Sequence, residues 1–181
     1  IFEADFSEAS YGYRPGRSAL DAVGKVHRSL IGGHTQVVDA DLTAYFDTIP
    51  HAELMRCLAT RIADGEMLRL LKMWLKSPVE VTDERGRKTY MGGRKSKRGI
   101  PQGGAISPLL ANVYMNRYIK TFRMHDLAKR YGAVLVSYAD DLVILCTRGA
   151  EQVLEITRRW MGVMGLELTE DKTRVLDARR E

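Results

Sequence analysis

The chain has 181 residues, of which 45% are hydrophobic and 28% are charged, and its formal net charge is +5. This length and composition are typical of one globular domain with a sizeable core. No stretch reaches the roughly 20 apolar residues of a membrane span. No basic segment followed by an apolar one stands at the start, so we expect neither a membrane protein nor a signal peptide. The chain does not begin with Met, and we expect it to be a piece of a longer protein.

Helices and one strand are predicted in the first part of the chain. In "SALDAVGKVHRSLI", residues 18–31, apolar residues recur at helical spacing, with Ser18 as N-cap and Gly32 after the end. Residues 35–41 are apolar and β-branched and predict a short buried strand. Two amphipathic helices follow in "HAELMRCLATRI" and "EMLRLLKMWLK", and the second ends before Ser77 and Pro78.

The second part of the chain predicts two hairpins around a long helix. "VEVTDERGRKTYMGG" is typical of a β-hairpin that turns at Glu84 to Arg87. A long helix is predicted from Ser107, the N-cap, through Pro108 at the first helical position to about Arg130. "AVLVSY" and "LVILCT" predict two strands joined at Ala139 to Asp141, before a further helix and a last strand. Because strands and helices do not strictly alternate, we expect an α+β fold, an antiparallel sheet with helices on one face.

Basic residues are concentrated in one segment, from Arg85 to Arg98, that contains no acidic residue. Its cations are Arg85, Arg87, Lys88, Arg94, Lys95, Lys97 and Arg98. Glycines interrupt the run, so one interpretation is a solvated hairpin and loop. The other is a contact with a polyanion, because clustered Lys and Arg residues are typical of nucleic-acid binding.

Two adjacent aspartates, Asp140 and Asp141, lie between apolar runs in "LVSYADDLVIL". Aspartate is a common turn residue, and a hairpin turn is one interpretation. Two-residue hairpin turns, however, favour Asn-Gly or Asp-Gly, and no glycine is present here. Adjacent carboxylates at the tip of buried strands need a positive partner, and a divalent cation is the simplest one, because hard cations prefer carboxylate oxygens.

A second acidic segment, "VVDADLTAYFD", contains Asp39, Asp41 and Asp47. Strand alternation predicts that Asp39 and Asp41 share one face while Val38 and Ala40 share the other. A single aspartate on a strand is often only a core or edge residue. Aspartates on neighbouring strands, in contrast, form the kind of site that holds two Mg²⁺ ions, which activate a hydroxyl and stabilise a leaving pyrophosphate.

The chain also resembles a known family. "VVDADLTAYFDTIPH", "GIPQGGAISPLLANVYMN" and "SYADDLVIL" resemble three successive blocks of the reverse transcriptases encoded by bacterial group II introns. "SYGYRPGRSALDAV" resembles an earlier block of that family, and "MGLELTEDKT" resembles the block after the aspartate hairpin. These segments come in the family order and cover nearly the whole chain.

The resemblance implies a polymerase palm with part of the fingers, as a single partial reverse transcriptase domain over residues 1–181 in a bacterial cytoplasmic protein. Residues of about 1–34 and 78–104 would belong to the fingers or their junction with the palm. Residues of about 35–77 and 105–181 would form the palm. The family's upstream basic block, its thumb and its RNA-splicing domain would lie outside this chain.

The resemblance also implies the catalytic residues. Asp41, Asp140 and Asp141 match the catalytic and metal-binding aspartates of the palm, and the backbone carbonyl of Leu42 faces a metal in such enzymes. Lys172 in "EDKT" matches the lysine proposed to protonate or neutralise the leaving pyrophosphate. The implied cofactor is a pair of Mg²⁺ ions, with Mn²⁺ as a substitute.

Contacts with nucleotide and nucleic acid are implied as well. Phe46 matches an aromatic steric gate against a ribose 2′-hydroxyl, although a core aromatic is an equally good interpretation of a phenylalanine. The other implied nucleotide-binding residues are Ala44, Tyr45, Gln102 and Gly103. The implied nucleic-acid-binding residues are Arg14, Arg17, Arg94, Lys95, Lys97 and Arg98. For Arg14 and Arg17, surface salt bridges are an equal alternative, and Asp47 is interpreted as a cap of the following helix.

The implied function is RNA-templated DNA synthesis, with an RNA template, a DNA or RNA primer, dNTP and, for a longer parent, group II intron RNA as partners. One alternative is a reverse transcriptase associated with defence or CRISPR systems. Another is an RNA-binding fragment without catalytic activity. On its own, the fragment is expected to polymerise weakly or not at all.

Overall fold

The computed structural model describes residues 1–82 and 86–179. The helices are α1 Ala19–Ile31, α2 Tyr45–Thr48, α3 His51–Ala59, α4 Gly65–Leu75, α5 Ser107–Met124, α6 Leu127–Tyr131 and α7 Ala150–Val163. The strands are β1 Gln36–Asp41, β2 Pro78–Thr82, β3 Lys88–Gly92, β4 Val134–Tyr138, β5 Asp141–Cys146 and β6 Arg174–Asp177. This mixture of helices with an antiparallel sheet confirms the predicted α+β class. In the described residues, no helix is long and apolar enough to cross a membrane.

The strands form two separate sheets. The larger sheet is antiparallel and has the order β4-β5-β1-β6. Its central pair runs from Gln36 opposite Cys146 to Asp41 opposite Asp141. Strands β2 and β3 form the predicted hairpin, which is paired as far as Thr82 opposite Lys88. Glu84 and Arg85, in the predicted turn, lie outside the described residues.

One face of the larger sheet packs on the main core. Val38 and Ala40 of β1 are 0% and 2% exposed, which confirms that they share the buried face while Asp39 and Asp41 point the other way. Leu142 and Ile144 of β5 lie on the same buried face and belong to the same cluster. Buried side chains of α5 and α7 complete this core, including Tyr114, Tyr118, Val153 and Met161.

The opposite face of the sheet is covered only in part. Helix α1 contributes Ala22 to a smaller cluster with Val136 and Leu145, and Val37 and Val143 pack against it. The expectation of helices on one face therefore holds for α5 and α7 but is wrong for α1, because β5 is apolar on both of its faces. On this second face, the apolar pairs at one end of β1 and β5 give way to aspartates at the other end.

The sequence predicts N-caps for two helices, Ser18 for α1 and Ser107 for α5. Ser18 caps α1 as predicted, because its hydroxyl accepts from the Asp21 N–H and Asp21 accepts from the Ser18 N–H. The prediction for α5 is wrong at both ends. Its N-cap is Ile106, so Ser107 and Pro108 are its first and second residues, and the Ser107 hydroxyl donates to the Pro101 carbonyl. The helix stops at Met124 rather than near Arg130, since Asp126 has a left-handed backbone (φ 50°) before α6.

The N-terminal segment pairs with the free edge of β4. The Tyr11 N–H donates to the Ser137 carbonyl over 2.8 Å, and the Ser137 N–H donates to the Ala9 carbonyl over 2.8 Å. Ser10 and Ser137 thereby form a parallel bridge. This pairing places Gly12 against the turn that follows β4.

Candidate active site

Two aspartates face each other across neighbouring strands. Asp41 ends β1 and Asp141 begins β5, and the two residues are directly paired in the antiparallel register. Asp140 precedes Asp141 in the two-residue turn that joins β4 to β5. Three aspartates from two distant parts of the chain therefore lie at the same end of the sheet. Asp41 thus lies beside the hairpin tip that bears Asp140.

The turn forms without a glycine because Ala139 takes the left-handed backbone itself, with φ 56°. Hairpin turns of two residues need a positive φ at their first position, which costs an alanine about 1–2 kcal/mol. The neighbouring Gly12 lets the N-terminal segment approach this turn closely, since a Cβ at position 12 would lie 2.5 Å from the Ala139 nitrogen. The amide of Asn112 donates to the Gly12 carbonyl over 2.8 Å. Sequence reasoning did not foresee this support for the turn.

The neighbouring carboxylates raise the affinity of Asp141 for protons. The pKa of Asp141 is raised, first by partial burial and then by the negative charges of Asp140, Asp41 and Asp39. Burial penalises the charged form of a carboxyl group, and neighbouring like charges do the same. The cluster therefore carries more negative charge than its surroundings neutralise.

Two cations from the last segment of the chain partly oppose this charge. The ammonium of Lys172 lies 3.4 Å from the Asp41 carboxylate, so the lysine singled out from the sequence is at the site. The guanidinium of Arg174 in β6 lies 3.3 Å from Asp39, a contact that sequence reasoning missed. Both cations are well exposed, so each pair contributes little to stability. The antiparallel register of β1 and β6 places Arg174 opposite Asp39. This register cannot be read from the alternation of residues within either strand.

The donor set matches a divalent cation in its chemistry. Carboxylate oxygens are the ligands that hard divalent cations prefer, and the raised pKa of Asp141 marks negative charge that such an ion would neutralise. Within residues 1–82 and 86–179, no three His, Cys, Asp or Glu side chains are grouped as a ready metal site. The backbones of Asp41 and Asp141 are already adjacent, so rotation of side chains is what such a site would require.

The Leu42 backbone is oriented toward the aspartates. The Asp41 carbonyl accepts from the Thr169 N–H over 2.8 Å, and the Thr43 N–H donates to the Glu167 carbonyl over 2.9 Å. Backbone groups of successive residues in an antiparallel pair point to alternate sides. The Leu42 carbonyl therefore points away from residues 167–169 and toward the side of β5 and Asp141.

The residues singled out for nucleotide contact follow Asp41 directly. Ala44 has a left-handed backbone (φ 44°) and precedes the short helix α2. Tyr45 is 2% exposed and its hydroxyl donates to the Ala111 carbonyl over 2.8 Å, so only its backbone is available to a ligand. Phe46 is partly buried against the core, and Tyr13 meets it edge to face at 6.5 Å between ring centroids. No pattern in the sequence predicts the contact between Phe46 and Tyr13.

Gln102 and Asp47 contact each other. The Gln102 amide donates to the Asp47 carboxylate over 2.9 Å. The interpretation of Asp47 as a helix cap is wrong, because α3 begins after Pro50 without a side-chain cap. Gly103 has φ 78° and nothing within 4 Å of the position of a Cβ, so the loop needs glycine here for its backbone conformation. A groove of about 700 Å³ opens between this loop and the β2–β3 hairpin, lined in part by Asp47 and Gln102.

The arginines near the N-terminus have partners inside the chain. Arg14 is nearly buried and binds the Glu3 carboxylate over 2.6 Å, and it also donates to the Ser7 carbonyl over 2.6 Å. This is the salt-bridge alternative that the sequence left open. Arg17 donates to the Glu8 carbonyl over 2.7 Å. Contact of Arg14 and Arg17 with a template stays a prediction.

The basic segment after β3 is mostly exposed. Arg94, Lys95, Lys97 and Arg98 all lie at the surface. The Arg98 guanidinium also donates to the Gly165 carbonyl over 3.0 Å and so connects the segment to the end of α7. Arg98 also forms an isolated bridge with Pro50. All four cations are therefore exposed, and Arg98 in addition connects two parts of the fold.

A family model described as "Reverse transcriptase (RNA-dependent DNA polymerase)" matches residues 2–180. Protein YkfC of Escherichia coli is 30% identical over 97% of this chain and 53% of its own length. The group II intron-encoded protein LtrA of Lactococcus lactis is 35% identical over 66% of this chain and 18% of its own. The chain thus spans about half the length of YkfC and less of LtrA.

Solved structures support the same fold. The telomerase of Candida albicans, in complex with a TWJ fragment of telomeric RNA, matches with a TM-score of 0.69 over 93% of this chain and 32% of its own. Its sequence identity is 17%. The apo telomerase of Candida tropicalis, truncated from its C-terminal domain, matches with a TM-score of 0.67 at 13% identity, over 93% of this chain and 36% of its own.

Proposed function

Because this chain belongs to the reverse transcriptase (RNA-dependent DNA polymerase) family, we propose that its aspartate cluster carries out RNA-templated DNA synthesis. In this reaction a primer 3′-hydroxyl attacks the α-phosphorus of a dNTP, a new phosphodiester bond forms, and pyrophosphate leaves. The observation that carries the proposal is the pairing of Asp41 with Asp141 beside Asp140. Phosphoryl transfer depends mainly on positioning and charge stabilisation, which such a cluster provides.

Asp41, Asp140, Asp141 and the carbonyl of Leu42 are the groups that we propose hold two Mg²⁺ ions, with Mn²⁺ as a substitute. Divalent ions so bound supply charge stabilisation for the attacking and leaving oxygens. The chain's own contribution is to hold carboxylates on two strands at one point. Lys172 is proposed to neutralise or protonate the leaving pyrophosphate, and its contact with Asp41 supports its presence at the site.

The nucleotide is proposed to lie against Phe46, Gln102 and Gly103, with the backbones of Ala44 and Tyr45 beneath it. The Phe46 ring is proposed as the steric gate against a ribose 2′-hydroxyl. The location of Phe46 five residues after Asp41 on the α2 turn supports this assignment. The Tyr45 side chain is not part of this proposed contact, because its hydroxyl donates to the Ala111 carbonyl.

A nucleic-acid path is proposed along the basic segment of Arg94, Lys95, Lys97 and Arg98, with Arg14 and Arg17 as further contacts. Exposed lysines and arginines bind phosphates without sequence preference. RNA template, DNA or RNA primer and dNTP are the proposed ligands, and intron RNA is proposed for a longer parent in the bacterial cytoplasm, by analogy with LtrA. Residues of about 1–34 and 78–104 are proposed as fingers or their junction with the palm, and residues of about 35–77 and 105–181 as palm.

Primer extension on an RNA template with Mg²⁺ tests this function. It is measured for this chain alone and for the reading frame that contains it, since the relatives are longer. We expect extension by the longer protein to be lost in Asp140→Asn and in Asp141→Asn, while RNA binding is retained, and we expect little extension by the chain alone. Equal extension by these variants and the wild type would refute catalysis by the cluster. Loss of RNA binding together with extension would point to a folding defect.

A further inference from the structure

The loop that carries Gln102 lies along the connector between α2 and α3. The Ile100 N–H donates to the Phe46 carbonyl over 2.8 Å, and the His51 N–H donates to the Lys97 carbonyl over 2.9 Å. The His51 ring places Nε2 2.6 Å from the Gly99 carbonyl. Residues 97–100 are therefore held against residues 46–51. This segment begins at Phe46 and lies shortly after Asp41 of β1.

The two segments are packed closely at Gly99. A Cβ at this position would lie 3.2 Å from the Asp47 carbonyl oxygen, and its φ of 91° is one that glycine adopts without strain. The loop thus has little freedom to slide along the connector. Beyond this contact the loop turns at Pro101 and Gln102, and the side chain of Gln102 returns to Asp47.

The Asp47–Gln102 hydrogen bond has a defined direction. An ionised carboxylate only accepts, so the nitrogen of the amide must face Asp47 and the amide oxygen must face away. Within residues 1–82 and 86–179, the second N–H and the carbonyl oxygen of Gln102 make no further hydrogen bond, so both are available to a ligand. A hydrogen bond to an ionised acceptor is about twice as strong as a neutral one, which suits it to fix one of the two orientations of an amide.

We propose that Asp47 is a positioning residue, whose carboxylate orients the Gln102 amide so that its oxygen and second N–H meet the incoming nucleotide or its template partner. This inference rests on the proposed function. Asp47 follows the gate residue Phe46, so one short helix, α2, links both selective contacts to the end of β1. No bond is made or broken at Asp47, and its effect is on binding and selection of the nucleotide.

Steady-state kinetics of the reading frame that contains this chain provide the first test. We expect Asp47→Ala to raise the KM for dNTP about tenfold, the size of one hydrogen bond to a charged group, with kcat within about twofold of the wild type. Asp47→Asn keeps an oxygen that accepts from Gln102 and is expected to recover most of the affinity. Glu155→Ala, which removes a 74% exposed carboxylate paired with Arg158 on α7, is the matched control and is expected to leave KM unchanged.

A double-mutant cycle separates this role from a general one. If Asp47 acts through Gln102, then Gln102→Ala raises KM as Asp47→Ala does, and the double variant is no worse than either single variant. Fully additive effects, or an unchanged KM in Asp47→Ala, would overturn the inference. A fall in kcat alone, without rescue by Asp47→Asn, would also overturn it.

A readout without activity distinguishes this inference from the proposed function. In ¹H–¹⁵N NMR spectra of this chain, the Gln102 side-chain amide protons are expected to be separated more widely in shift than those of a solvated glutamine and to be protected from exchange. Both features should be lost in Asp47→Ala and kept in Glu155→Ala. If the wild type extends no primer, the proposed function fails while the NMR result still decides the contact. If primers are extended but Asp47→Ala leaves the Gln102 resonances unchanged, only the positioning role fails.

Discussion

Gly12→Ala is the substitution that tests how the aspartate hairpin is supported. A Cβ at position 12 would lie 2.5 Å from the Ala139 nitrogen and 3.2 Å from the Tyr138 carbonyl carbon. Both are backbone atoms, so neither is able to rotate away. The Asn112 amide, at 2.8 Å from the Gly12 carbonyl oxygen, restrains the segment from the α5 side. The strand or the turn must therefore move.

The expected cost follows from two opposing contributions. Inserting a methyl group into a packed site costs about 1–3 kcal/mol. Gly12 has no positive φ, so alanine also restricts the unfolded chain and recovers about 0.4–1 kcal/mol. We expect a net loss of about 1–2 kcal/mol in the free energy of unfolding. With a slope of about 2 kcal/mol per M urea, the midpoint should fall by about 0.5–1 M.

Urea unfolding followed by circular dichroism measures this change, and Gly162→Ala is the control. Gly162 lies in α7, is exposed, and has nothing within 4 Å of the position of a Cβ. Alanine there should raise the stability by about 0.5–1 kcal/mol, as expected for glycine in a helix. Replacing glycine by alanine is thus expected to lower the free energy of unfolding at position 12 and to raise it at position 162. A Gly12→Ala midpoint equal to or above that of the wild type would refute the close approach to Ala139.

Further changes at the site and in the core have defined outcomes. Without divalent cations, Asp141→Asn should stabilise the chain by about 0.5 kcal/mol in thermal melts, because it removes a like charge opposite Asp41; a lower melting temperature would contradict the repulsion. Ala139→Gly should stabilise the chain by about 1 kcal/mol in urea, because glycine adopts the left-handed turn without strain; a destabilised variant would contradict that assignment. Tyr118→Phe should cost about 1–2 kcal/mol, because the buried hydroxyl of Thr157 loses its partner at 2.9 Å; an unchanged urea midpoint would exclude this bond.

Local patterns anticipated much of the fold. Helical spacing located α1, α3 and α4, a capping residue marked the start of α1, and strand alternation separated the aspartates of β1 from its buried residues. The hairpin that carries Asp140 and Asp141 was also anticipated, because two apolar runs need a turn between them. The end of α5 was not anticipated, since the left-handed backbone of Asp126 breaks a sequence with helical composition.

Local sequence patterns did not predict the contacts between distant segments. The pairing of residues 9–11 with β4 involves an alanine, a serine and a tyrosine that show no strand periodicity. The coverage of the second face by α1, the ion pair of Arg174 with Asp39 and the hydrogen bond of Gln102 with Asp47 each join elements far apart in the chain. A side chain's partner depends on the path of the backbone between the two, and periodicity does not record this path.

The residue pattern alone specifies which chemical groups are present: carboxylates at strand ends, an aromatic residue soon after, a glutamine in a glycine-rich loop, and the order in which they occur. The folded chain is needed to show that Asp41 and Asp141 oppose each other, that Lys172 contacts Asp41, and that Asp47 accepts a hydrogen bond from Gln102 and caps no helix. This difference follows from the range of the interactions. Periodicity and capping act over a few residues, whereas convergence depends on the register of strands about a hundred residues apart in the chain.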